Sequence, residues 1–82
     1  MPVEPSAFVY LLRCADGTLY CGWTTDVARR VGEHQAGTAS RYTRSRLPVA
    51  LAWSKAVESR GDALREEHRI KRLSRSEKLA LM

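Results

Sequence analysis

The spacing of apolar and polar positions divides the chain into elements of recognisable length. Phe8-Val9-Tyr10-Leu11-Leu12 and Leu19-Tyr20-Cys21-Gly22-Trp23 are aromatic and β-branched runs of strand length, and Ala15-Asp16-Gly17 between them is a turn signal. Together they predict a β-hairpin. Side chains on a strand alternate faces, so the turn decides which residues stand together. A two-residue Asp-Gly turn would put Tyr10 and Tyr20 on opposite faces. A three-residue loop with Gly17 in the left-handed conformation would set Tyr20 against Leu12 and Tyr10 against Gly22, with both phenols on one face. The residues are compatible with either turn. We take the three-residue loop as the expectation, because any joint use of the two tyrosines requires it.

After the hairpin, Thr24-Thr25-Asp26 offers N-cap residues for a helix from about Val27 to Ala36, closed by Gly37. Val27 and Val31 share its apolar face, Arg30 and His34 stand four apart on one edge of that face, and Arg29 and Glu33 turn to solvent. Gly32 within this helix should cost up to about 1 kcal/mol relative to Ala. Residues 37–48 lack a sustained period and predict a loop, and Val49 to Val57, containing Trp53, resumes a strand pattern behind Pro48. Ser59 and Asp62 have capping-box spacing before a helix whose apolar stripe is Ala63, Leu64, Ile70 and Leu73. Ser74 and Glu77 repeat that spacing before a short last helix, Arg75 to Leu81, with Leu79 and Leu81 expected in the core. Residues 1–6, with Pro2 and Pro5, read as a flexible lead-in, which leaves one domain over residues 7–82. The expected fold is a small α/β domain in the order β-β-α-β-α-α, with a three-stranded antiparallel sheet flanked by helices.

Composition narrows the classes of function. Eighty-two residues suffice for one modest core and leave no room for a second catalytic module. There is neither an apolar run of about 18 residues nor a charged-then-apolar leader, so a cytoplasmic protein with no membrane partner is expected. Cys14 and Cys21 lack zinc-ligand spacing and read as buried thiols that could face each other across the hairpin. The charge is lopsided: residues 1–40 hold three Lys/Arg against four Asp/Glu, and residues 41–82 hold eleven against five. Such a basic half favours a polyanion, although Lys and Arg also serve as solvated helix formers. Within the loop, Arg41, Arg44 and Arg46 interleave with Tyr42, Thr43 and Ser45, pairing guanidinium forks and hydroxyls with a ring that can pack on a sugar or base. Lys71 and Arg72 extend this set of nucleic-acid-binding candidates.

Glu67 is the anomaly of the second half, because it falls near the middle of the apolar stripe of its helix. A buried carboxylate is expensive unless it is paired, so it is either held for a metal or cation, or placed at the stripe edge against Lys71.

These residues carry a family resemblance. Val9-Tyr10 ahead of Tyr20-Cys21-Gly22, then Arg30 and His34 on the next helix and Glu67 on a later one, resembles the GIY-YIG nuclease domain, in particular its short stand-alone bacterial branch. The resemblance covers residues 7 to 81 and is strengthened by Ala63 to Glu67 and by the tail IKRLSRSEKLAL. It implies hydrolysis of phosphodiester bonds in DNA with one Mg²⁺ ion, or Mn²⁺ in its place; structure-selective or weakly sequence-specific cleavage is expected, with branched or single-stranded DNA as partner. On this chain it implies Tyr10 and Tyr20 as residues that orient or deprotonate water, Arg30 on the scissile phosphate, His34 in proton transfer or phosphate positioning, and Glu67 as the metal ligand. Gly17, Gly22 and Gly37 would be structural. The chemistry is coherent, since a metal and an arginine meet the charge that develops on phosphate, and Mg²⁺ accepts a site with one protein carboxylate. A free tyrosine with a pKa near 10 is a poor base without a nearby cation. The chain departs from the family pattern at Phe8, which replaces the first motif's glycine, at Cys21, and at Trp23, which stands where several members have lysine. It contains no asparagine. A nucleic-acid-binding module on the same fold, with little or no turnover, is the alternative that these departures suggest.

Overall fold

The computed structural model describes residues 7–82, so the expected lead-in at 1–6 lies outside the described residues. The elements are β1 (Ala7–Arg13), β2 (Leu19–Thr24), α1 (Val27–Gln35), α2 (Arg41–Arg44), β3 (Ala50–Val57), α3 (Arg60–Lys71) and α4 (Arg75–Leu79). The three strands form one antiparallel sheet, as the strand pattern predicts, and its spatial order is β2-β1-β3.

β1 is the central strand, and its residues divide the core. Ala7, Val9 and Leu11 pack with Cys21, Val57, Ala63 and Ile70 on the face covered by α3. Tyr10 and Leu12 pack with Cys14 and Val49, flanked by Tyr20, Val31 and Leu47, on the face covered by α1. This two-sided burial explains why β1 reads as a continuous apolar run, while β2 and β3 keep exposed positions at the sheet edges. Cys14 and Cys21 are both buried free thiols, but they belong to opposite faces and do not meet across the hairpin. Desolvation pushes the Cys21 thiol up to about 11.

The hairpin takes the three-residue form. The Cys14 N–H donates to the Thr18 carbonyl at 2.9 Å and the Gly17 N–H to the Cys14 carbonyl at 2.9 Å, with Gly17 at φ 84°. The register pairs Leu12 with Tyr20 and Tyr10 with Gly22, so the two phenols share a face. Asp16 at the loop tip accepts from both the N–H and the hydroxyl of Thr18 and from Arg46, which together hold its carboxyl below the usual range.

Local capping largely follows the sequence. Asp26 caps α1 by accepting from the Arg29 N–H, Gly37 at φ 78° follows its end, and Ser74 with Glu77 forms a complete capping box. Three expectations are corrected. The segment 37–48 is not wholly loop: Ser40 accepts from the Thr43 N–H and starts the single turn α2, which is too short to leave a periodic signature. Leu64 is 51% exposed, because the buried stripe of α3 runs through Ala63 and Ile70 and leaves Leu64 a quarter-turn away. The last helix ends at Leu79, which is 37% exposed, so only Leu81 of the expected pair packs on the core.

Gly22 is fixed by a close approach. Tyr10 lies across it from β1, so a Cβ at position 22 would stand 2.5 Å from the phenol oxygen and 2.7 Å from Cζ. Gly22→Ala should therefore displace Tyr10 and lower stability by about 1–3 kcal/mol, the usual range for overpacking a filled core. A urea midpoint equal to that of the unaltered protein would contradict this packing.

Candidate functional site

The centre of the α1 face is a chain of polar contacts buried beneath the sheet's helical cover. The Tyr10 hydroxyl lies 2.8 Å from His34 Nε2, and His34 Nδ1 lies 2.8 Å from the Thr43 hydroxyl. Thr43 in turn reaches the Ser40 hydroxyl at 3.0 Å. Tyr10, His34 and Thr43 are at most 2% exposed, so each hydrogen must have an acceptor within the protein. The cation beside the Tyr10 oxygen, Arg30, can only donate. The arrangement that satisfies every group has Tyr10 donating to Nε2, Nδ1–H donating to Thr43, and Thr43 donating to Ser40.

Each element places its member of this chain for a local reason. The hairpin register turns Tyr10 and Tyr20 to the α1 face, and one helical turn sets Arg30 and His34 together on α1. The Ser40 cap holds α2 so that Thr43 points inward. The Tyr20 ring packs edge-on against His34 at 5.2 Å between centroids, and Tyr42 stacks on Tyr20 at 5.8 Å. The Arg46 guanidinium covers the Tyr42 ring at 3.8 Å and is anchored to Asp16 at 2.9 Å. A ladder of rings thus runs from the buried imidazole to the surface.

Burial sets the protonation states. Desolvation pushes the Tyr10 phenol up to about 12, partly opposed by Arg30, so it is a neutral hydroxyl at neutral pH. Desolvation and the Arg30 charge push the His34 imidazole below its ordinary value, which keeps it neutral as well. Arg30 pairs with Glu33 at 3.1 Å, and its Nε is buried without a hydrogen-bond partner.

Tyr10, Tyr20, Arg30 and His34 therefore gather on one face. Glu67 is carried by α3, which packs on the other face of the sheet: its carbonyl lies 4.0 Å from Cys21 Sγ, and its partly buried carboxylate lies 3.7 Å from Lys71. The stripe-edge position against Lys71 is the one adopted. Of the nucleic-acid-binding candidates, Arg41, Arg44 and Arg72 are exposed, Tyr42 is stacked against Tyr20, and Lys71 is engaged by Glu67. Arg46 is committed to Asp16, the Tyr42 carbonyl and the Ser45 hydroxyl.

Sequence reasoning missed Thr43 as a polar partner; the Ser40-x-x-Thr43 cap spacing was its available signal. Glu66 joins β3 to α3 by pairing with Lys55 and Arg69, and these contacts, Arg69 foremost, bring its carboxyl down to about 2.

His34 gives a pH signature. Its folded-state pKa lies below the ordinary 6.5, so the unfolded chain binds more protons between the two values and stability is lost as pH falls through that window. Urea midpoints measured from about pH 7.5 to about 5.5 should fall more steeply for the unaltered protein than for His34→Gln. Parallel curves would mean that His34 is not held neutral by the fold.

Similarity to known proteins agrees with this architecture. The model of the GIY-YIG catalytic domain matches residues 6–80. A UPF0213 protein of Halobacterium salinarum is 53% identical over 89% of this chain and 95% of its own length. One from Streptococcus agalactiae serotype V is 47% identical over 94% of this chain and 88% of its own length. The solution structure of a UPF0213 protein from Bacillus halodurans superposes with a TM-score of 0.59 at 44% identity, covering 92% of this chain and 80% of that one. A solution structure from E. faecalis gives 0.61 at 38% identity, covering 95% and 83%. Archaeal as well as bacterial relatives correct the expectation of a purely bacterial branch. Among the described residues no helix is long and apolar enough to cross a membrane. This chain belongs to the GIY-YIG catalytic-domain family.

Proposed function

We propose that this chain is a nucleic-acid-binding domain on the GIY-YIG fold, taking DNA through phosphate contacts centred on Arg30 and the basic second half, with little or no turnover. The observation that carries this reading is the contrast between its two polar layers. Tyr10, His34 and Thr43 are sealed under α1 and α2 and satisfy one another, whereas Arg30 and the arginines of α2 and α3 reach solvent. A phenol that stays neutral to about pH 12 and already donates to a buried imidazole is a poor acceptor for a proton from water. The Arg30 guanidinium, on a side chain 38% exposed, offers a planar fork well suited to a phosphate oxygen. Contacts of this kind position a strand without reading its sequence, consistent with branched or single-stranded DNA as partner.

A second reading, metal-dependent DNA cleavage, is favoured by the adjacency of the Tyr10 oxygen and the Arg30 guanidinium. Glu67 would supply the one protein carboxylate for Mg²⁺ or Mn²⁺, exchanging its Lys71 contact for the ion, and a single-carboxylate donor set is chemically admissible because Mg²⁺ retains several waters. Such an ion would polarise a phosphoryl oxygen. Arg30 would bind the phosphate and stabilise its growing charge, Tyr20 would orient water from the rim, and Tyr10 with His34 would hold or relay a proton beneath it.

Labelled single-stranded, duplex, flap and branched DNA, incubated with Mg²⁺, Mn²⁺ or chelator, separates the two readings. The proposal expects binding that weakens linearly in log–log salt plots and no metal-dependent product. Cleavage that falls by about 10² or more in Glu67→Ala and is reduced in Tyr10→Phe would replace it with the nuclease reading. Absence of binding to every form at low salt would overturn both.

A further inference from the structure

We propose that the cleft between the β2–α1 junction and the start of α3 is a nucleotide subsite, in which Arg29 and Arg60 hold the phosphate next to the one at Arg30 and the Trp23 ring carries a base. This rests on the nucleic-acid reading and extends it. The cleft has a volume of about 310 Å³ and is lined by Trp23, Thr24, Thr25, Arg29, Arg30 and Arg60. That volume is at the lower end for small-molecule clefts and suits one nucleotide, not a duplex.

Charge singles this cleft out. Three guanidinium groups converge on it and no carboxylate lines it among the described residues. The neighbouring cleft of about 430 Å³ between β3 and α3 mixes Lys55, Arg65 and Arg69 with Glu58, Asp62 and Glu66, most of them joined in ion pairs. Asp26, the acid nearest in sequence to Arg29, is occupied as the α1 cap. Arg30 is paired with Glu33 at 3.1 Å, but Arg29 and Arg60 have no ion-pair partner among the described residues, and such cations attract an anion and are relieved by it.

Contiguity sets the register of a bound strand. Arg30 stands beside the Tyr10 oxygen and also forms a wall of the cleft, so a strand with one phosphate on Arg30 passes its next phosphate to Arg29 and Arg60. Trp23 on β2 pairs with Val9 of β1, which directs its ring to the α3 face, where one side packs on the core and the rest lines the cleft. An aromatic face there supplies sequence-tolerant stacking, which gives a role to a residue that departs from the family's lysine.

The test uses the full chain carrying Trp53→Phe, so that Trp23 is the sole indole, titrated with thymidine 5′-monophosphate, inorganic phosphate and a short single-stranded oligodeoxynucleotide. The monophosphate and the oligonucleotide should quench Trp23 emission, and inorganic phosphate should compete weakly. Arg29→Gln and Arg60→Gln, both at exposed positions, should each weaken oligonucleotide binding about tenfold and reduce the salt slope by about one, with unchanged urea midpoints. Wild-type affinity and slope in both variants, with loss only in Arg30→Gln, would overturn the subsite and leave the nucleic-acid reading standing. Inorganic phosphate binding as tightly as the oligonucleotide would reduce the cleft to an anion site and overturn the nucleotide assignment. Failure of the unaltered protein to bind the oligonucleotide at low salt would overturn the nucleic-acid reading and the subsite together.

Discussion

The contact on which the rest of the structure depends is the hydrogen bond from the Tyr10 hydroxyl to His34 Nε2. It joins the central strand to α1 inside the core, and three features are arranged around it. Gly22 clears the space that the Tyr10 ring occupies, the three-residue hairpin loop sets the register that brings Gly22 there, and α2 turns Thr43 inward to accept from the other imidazole nitrogen. In a low-dielectric interior such a chain is favourable only when every member is satisfied. Removing one partner would leave a buried donor or acceptor unmatched, at a cost of about 1–3 kcal/mol.

The same contact divides the site into an inner and an outer layer. Inside, two groups that could in principle move protons are held neutral, one pushed up and the other down by the same desolvation. Outside, Arg30 remains charged, retains an unpartnered Nε, and connects the Tyr10 oxygen to a cleft lined by two further arginines. The ladder of Tyr20, Tyr42 and Arg46, anchored by Asp16, closes the layer boundary on its other side. Arg46 belongs to this closure, whereas Arg29 and Arg60 have no ion-pair partner among the described residues.

Much of this was legible in the residues. Period-2 runs and turn chemistry gave the strands, cap residues gave the starts of α1, α3 and α4, and helical spacing put Arg30 beside His34. The hairpin register was narrowed to two possibilities, and hydrogen bonding at Gly17 distinguishes them. What could not be read depended on contacts between distant segments. Thr43 meets His34 only because a single turn, too short for a periodic signal, folds back over α1. Leu64 and Leu79 face solvent because α3 presents Ala63 and Ile70 to the core and Leu81, beyond the end of α4, packs there in place of Leu79. The wheel put Glu67 near the middle of the apolar stripe, whereas it stands at the edge against Lys71, the other position the residues allowed, and its place on α3 relative to the sheet is a consequence of packing.

The central claim is that Tyr10 and His34 form a neutral, structural relay while Arg30 meets the nucleic acid. Side-chain ¹⁵N NMR spectra of the protein, recorded with and without a short single-stranded oligodeoxynucleotide at neutral pH, test it most directly. His34 should show a protonated Nδ1 and an unprotonated Nε2 in both states, and the Arg30 Nε resonance should shift on binding. Protonation or a change of tautomer at His34 when DNA binds, with Arg30 unmoved, would contradict that claim and make the relay part of the chemistry.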